Sequence, residues 1–192
     1  MTGTEAVKKL EEFKKDYYTI GDLKKILDIS DESLRGQLSR WCKKGILIRL
    51  RKGVYTLYRE NINYEKIANQ IYYPSYLSFE SALSRYGILS QIPYTITFAT
   101  PKKPKKILLG DTQVEYTKIS NKFYFGYVFE EEMYIASPEK ALVDSLYLVS
   151  KGKKVLDIKE LYLKNIDKNK LLEFSKIFPK NTRDLVKSIT AK

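Results

Sequence analysis

Histidine is absent from all 192 residues, and cysteine occurs once, at Cys42. Without histidine the usual general base is missing. The Ser/His and Cys/His nucleophile pairs and every zinc site that needs an imidazole go with it. A single cysteine excludes an internal disulfide and a thiolate metal cluster, and at the edge of Trp41 it reads as packing. No stretch approaches the roughly 20 apolar residues of a membrane span. Met1–Lys15 alternates lysine with glutamate around no apolar signal core, so secretion is not expected. The Walker lysine loop and the dinucleotide glycine fingerprint are missing, as is the Gly-Ser and paired-Asp signature of nucleotidyltransferases. The expectation is a cytoplasmic protein with no catalytic residue, metal or cofactor, in which any chemistry would rest on carboxylates, lysine, tyrosine or bound Mg²⁺.

Acid is the other shortage, and it is local. From Ser33 through Arg59 there is no Asp or Glu, yet Arg35, Arg40, Lys43, Lys44, Arg49, Arg51, Lys52 and Arg59 all occur. A face that merely meets solvent mixes both signs. Across the chain, 35 Lys and Arg stand against 23 Asp and Glu, a formal charge of +12. Such an excess attracts polyanions, nucleic acid first. Residues 1–60 carry 14 basic and 9 acidic side chains, residues 61–150 carry 9 of each, and residues 151–192 carry 12 and 5.

The acid-free stretch falls inside a pattern of short helix, turn, second helix and hairpin. Thr19 is placed to cap a helix carrying Leu23 and Leu27, and Ser30 or Asp31 caps the next. There Leu34, Leu38 and Trp41 make an apolar stripe at i, i+4 and i+7. Gly45 stops that helix. Ile46–Leu50 and Val54–Leu57 are β-rich runs flanking the tip Arg51-Lys52-Gly53. This is the order of a winged helix-turn-helix, whose second helix enters the major groove.

At 100° per residue, Gly36, Arg40 and Lys43 lie opposite the stripe, with Ser33, Gln37 and Lys44 on one shoulder and Arg35 on the other. Gln, Arg and Ser suit base edges; Lys43, Lys44 and the wing residues Arg49, Arg51 and Lys52 suit phosphates. Gly36 costs the helix roughly 1 kcal/mol relative to Ala. Close approach to DNA or a tight helix crossing would each account for it.

Around this unit, Thr4–Lys15 reads as a further helix with Val7, Leu10 and Phe13 on one side. A polar stretch at 59–63 sets a domain boundary near residue 60. Tyr64–Tyr73 is a helix stopped by Pro74, and Ser78 caps another that Gly87 ends. Strands follow at 94–100, 113–119, 123–129 and 133–135. Pro101–Lys106 makes an exposed basic loop. Ser137-Pro138-Glu139 starts a helix through Leu146, with Glu139 complementing the dipole and Asp144 on the outer face. Three helical patterns occupy the tail, the second after Asp167 and the third near Thr182. The fold class expected is α+β: residues 1–60 a winged helix-turn-helix, residues 61–192 a mixed α/β domain whose core runs to about 150 and whose basic helical tail follows.

A nuclease reading fares poorly. Asp111, Glu115 and Lys118 are spaced D-x₃-E-x₂-K, which puts Glu115 and Lys118 on opposite strand faces. Glu130-Glu131-Glu132 reads as a solvated turn. Tyrosine, at 16 residues, raises base stacking on a sheet. Tyr124 and Tyr127, three apart, would face opposite ways.

Four segments in order resemble the AbiEi family of type IV antitoxins: Leu47–Tyr55, Tyr76–Gly87, Gln91–Pro93 followed by Ile96–Thr100, and Ala136–Asp144. The resemblance implies a winged DNA-binding domain fused to an antitoxin domain. It implies repression of the chain's own operon through an inverted repeat in double-stranded operator DNA, with a protomer on each half-site. It also implies a cognate nucleotidyltransferase toxin as functional partner, and no membrane. The rival readings are an ordinary winged-helix regulator with a ligand-sensing second domain and a Mg²⁺-dependent nuclease. Lys153–Lys192 carries no matching motif.

Overall fold

Thr2 and Glu5 close a reciprocal cap over α1 (Gly3–Glu12): the Thr2 N–H donates to Glu5 Oε2 at 2.8 Å and the Glu5 N–H donates to Thr2 Oγ1 at 3.2 Å. The computed structural model describes residues 1–191. They divide into two compact units, Met1–Ile67 with Leu108–Asp111, and Ala68–Ile107 with Thr112 onward. No helix among the described residues is long and apolar enough to cross a membrane.

In the first unit α1 buries Ala6 and Leu10. Phe13, expected on that stripe, is 56% exposed, because the helix has ended and Phe13 is its C-cap. The Tyr18 hydroxyl donates to the Leu10 carbonyl at 2.6 Å and ties α1 to β1 (Tyr18–Thr19). Thr19 caps α2 (Ile20–Leu27) together with Asp22, and Ser30 caps α3 (Asp31–Lys43). Gly45, at φ +68°, then lets the chain reverse into β2 (Leu47–Arg51), where a side chain would be strained. β2 pairs antiparallel with β3 (Val54–Leu57), and β1 adds to the free edge of β3, giving the order β1-β3-β2. Leu23, Leu27, Leu34, Leu38, Trp41 and Leu47 share one core with Ala6, Leu10 and Tyr18. Each such leucine contributes about 1.5–3 kcal/mol by leaving water.

The helix α4 (Tyr64–Ile71) spans the change from one unit to the next. Beyond it come β4 (Tyr76–Leu77), α5 (Phe79–Arg85), β5 (Thr95–Thr100), β6 (Lys105–Leu109), β7 (Thr112–Lys118), β8 (Tyr127–Glu130), β9 (Met133–Ala136) and α6 (Pro138–Ser150). The sheet order is β6-β7-β5-β4-β9-β8. β5 and β7 run parallel from Thr95↔Gln113 to Thr100↔Lys118, and β4 runs parallel to β9. β4–β5 and β8–β9 are antiparallel. The first tail pattern resolves into 3₁₀ turns at Ile158–Glu160 and Leu163–Asn165; α7 (Lys168–Ser175) and α8 (Lys180–Thr190) then pack on α6.

Helix α6 corrects two expectations and adds to a third. Its start is as read, with the Ser137 hydroxyl accepting from the Lys140 N–H and Pro138 in the first turn. Asp144, however, is fully buried, because α5, α7, α8 and β9 surround α6 and leave no outer face at that position. It accepts from the Tyr76 hydroxyl at 2.9 Å and the Ser78 hydroxyl at 3.0 Å, and pairs with the equally buried Lys140 one turn earlier. Burial pushes the Asp144 carboxyl up and the Lys140 ammonium down, each opposed by the other's charge. Ser78 therefore makes no side-chain cap on α5. Glu139 is buried too, where it pairs with Lys170 at 2.9 Å and accepts from the Asp167 N–H at 3.3 Å. Burial raises its pKa, but these donors outweigh it and hold the group below the ordinary carboxylate value.

Tyr124 and Tyr127 do not part company. Tyr124 follows a 3₁₀ turn (Asn121–Phe123) outside the strand, so alternation does not govern it. Both rings rest on Tyr76, at centroid distances of 5.1 and 4.8 Å. Glu131 and Glu132 make the β8–β9 turn at positive φ, and Glu131 is paired with Arg85.

Candidate nucleic-acid interface

The outer face of α3 follows from which residues its core holds. Leu34, Gln37, Leu38 and Trp41 are buried, and Ser33, Arg35, Gly36, Ser39, Arg40, Lys43 and Lys44 are exposed. Gln37 is the departure from the sequence reading. It is 8% exposed, on the core side of its expected shoulder, and its Oε1 has no hydrogen-bond partner among the described residues. With Leu34, Leu38 and Trp41 it completes the i, i+3, i+4, i+7 set of a buried face. That spacing was the available signal. Ser39 is the residue that sequence reasoning passed over, although it lies one turn after Arg35 on the exposed side.

Gly36 bears on what approaches this face. A Cβ built there would meet nothing within 4 Å. No neighbouring helix within the described residues requires the glycine, so a tight crossing does not explain it.

The wing is a two-residue turn. Arg49 pairs with Tyr55 and Arg51 with Val54, and the register slips between them while Leu50 turns inward. Lys52 stands exposed at the tip, and Gly53, at φ +79°, closes it. Arg49 is exposed and Arg51 half-buried. Between α3 and the sheet runs a cleft of about 360 Å³ lined by Ile20, Arg35, Leu38, Ser39, Cys42, Lys43, Arg49 and Tyr55, with three cations and no acid. Burial pushes the Cys42 thiol up, against the pull of Arg49.

None of Arg35, Arg40, Lys43, Lys44, Arg49, Arg51 and Lys52 makes an ion pair among the described residues. The acids of α3, Asp31 and Glu32, sit in its first turn, where they complement the helix dipole, and Asp31 is held by Lys24 at 2.9 Å. The nuclease triplet is likewise dispersed: Asp111 lies in a turn, Glu115 pairs with Lys106 at 3.4 Å, and Lys118 ends β7.

Three helices, a three-stranded sheet and an outer helix without acid beyond its first turn, beside a basic hairpin, define a winged helix-turn-helix of the DNA-binding class. Residues 5–58 match the family described as transcriptional regulator, AbiEi antitoxin. The match includes Leu47–Tyr55; the other three resembling segments lie beyond it. No curated protein matches the chain.

Proposed function

We propose that the chain is the antitoxin of a type IV toxin–antitoxin system, and that it represses its own operon and counteracts a cognate nucleotidyltransferase toxin. In this reading α3 lies in the major groove of an inverted repeat, with one protomer on each half-site. Arg40, Ser33 and Ser39 face base edges, and Arg35 flanks them. Lys43, Lys44, Arg49, Arg51 and Lys52 bind phosphates and fix the register. Gln37 is left out, because it lies on the buried side of α3 and its amide oxygen is turned away from solvent.

The observation that carries the reading is the set of unpaired cations on α3 and the wing, over a stretch free of acid. Repression is then occlusion of the promoter, and the reading assigns no catalytic role to any residue. Antitoxicity is assigned to residues 61–192, because the winged unit's basic face is committed to DNA. Gel-shift titration against a fragment of the chain's own promoter, beside a scrambled duplex, tests the proposal. Selective binding is expected, weakening as salt rises. No binding even in dilute buffer would remove the helix and wing from any DNA interface.

A further inference from the structure

A second acid-free region lies in the other unit. β5 and β7 are parallel and end side by side at Thr100 and Lys118. The loops leaving them open a cleft of about 660 Å³ lined by Pro101, Pro104, Lys118, Ile119, Ser120, Asn121 and Lys153. A crevice outside the carboxyl ends of parallel strands is where open α/β sheets take ligands. Its volume falls within the roughly 300–1,000 Å³ of small-ligand sites.

Three chain segments contribute to this cleft, and the stretches around their lining residues, 100–107, 116–129 and 145–156, contain no Asp or Glu. Most of their lysines are occupied. Lys106 pairs with Glu115 and Lys154 with Glu80. Lys102 and Lys105 lie over the Tyr72 ring, Lys122 over Phe123, and Lys151 over Tyr147. Lys103, Lys118 and Lys153 have neither an ionic nor a ring partner among the described residues. Two of them line the cleft, and Lys103 stands between its two prolines. Ser120 and Asn121 add a hydroxyl and an amide beside the ammonium groups. Point-charge donors with flexible stems, joined by neutral donors, suit phosphate oxygens.

We propose that this cleft is an anion site distinct from the winged unit, and that it takes the phosphate groups of a nucleotide, free or within a single strand. Calorimetric titration of the full chain with ATP, with adenosine and with a single-stranded oligoadenylate tests it. ATP is expected to bind and adenosine not to. In Lys118→Gln/Lys153→Gln, ATP affinity should fall by about tenfold or more. Operator binding should be unaffected in that variant, and ATP binding should be unaffected by Arg40→Ala, so failure here is separable from failure of the DNA reading. Both substituted lysines are exposed, so the fold is kept. Tighter binding of the oligoadenylate than of ATP, lost in the same double variant, identifies polymer phosphates as the source. Equal or weaker binding identifies the free nucleotide. The proposal is overturned if neither ATP nor the oligoadenylate binds, or if the double variant binds both as the natural chain does.

Discussion

Gly36 and Gln37 sit next to each other on α3 and make opposite demands. Gly36 points into open space, so Gly36→Ala should stabilise the free protein by about 0.5–1 kcal/mol through helix propensity alone. If DNA backbone comes close at that point, the same methyl group should weaken operator binding. A higher melting temperature with a lower affinity is the expected pair of results, and unchanged affinity would show that nothing approaches there. Gln37 buries an oxygen that lacks a partner. Gln37→Leu should raise stability by about 1 kcal/mol, since the cost of an unsatisfied buried acceptor disappears, and should leave DNA affinity intact. Loss of operator binding in that variant would return Gln37 to the interface. The helical wheel placed both residues to within one position, but it could not say which way a shoulder glutamine turns. That depends on neighbours contributed by other elements of the core, which the wheel does not contain.

Caps and turns were the elements most legible in the sequence. Thr19, Ser30, Ser137-Pro138, Asp167, Gly45 and Gly53 act locally, through their own backbone, so their meaning does not wait on tertiary structure. The two-residue strands β1 and β4 were invisible, because they exist only as partners of β3 and of β5 and β9. The burial of Asp144 was hidden for the same reason: three helices and a strand arrive from elsewhere in the chain to cover it. The cap of α2 makes a pH prediction. Burial pushes the Asp22 carboxyl up, but Lys15 at 2.6 Å and the Thr19 hydroxyl and N–H outweigh it and lower its pKa from 3.8 to about 2. The folded chain therefore binds fewer protons than the unfolded one. The stabilisation, on the order of 1–2 kcal/mol after screening of its exposed edge, is present above the unfolded value and lost as pH falls through about 2. Melting curves of the natural chain and Asp22→Asn should converge over that window; a constant gap would show that the cap does not titrate. The helix and wing also separate by salt. Arg40→Ala should cost about 1–3 kcal/mol and relax sequence preference. Lys52→Ala should weaken all sequences alike and shrink the salt slope by about one. Gel shifts at two salt concentrations distinguish them, and two variants with the same profile would mean that helix and wing do not divide these roles.

At the scale of the molecule, the polar stretch at 59–63 suggested a boundary near residue 60, without fixing where compact units divide. The compact units part after Ile67, and the first also includes Leu108–Asp111, a tip between two strands of the other unit's sheet. Nothing in a Leu-Leu-Gly-Asp tetrapeptide marks such membership, because it is decided by where the strands carry it. A fragment cut at residue 60 would thus omit part of the first unit, so separation of function is better sought in the full chain. Arg40→Ala combined with Lys52→Ala removes one cation that the proposal assigns to bases and one that it assigns to phosphates, both exposed and both without ion pairs among the described residues, and should leave the fold unchanged. If DNA binding resides in the winged unit and antitoxicity in residues 61–192, this variant should derepress a promoter reporter and still restore growth to cells expressing the proposed cognate toxin. Loss of both activities together would mean that neutralisation runs through the operator, and the second unit would then need another role.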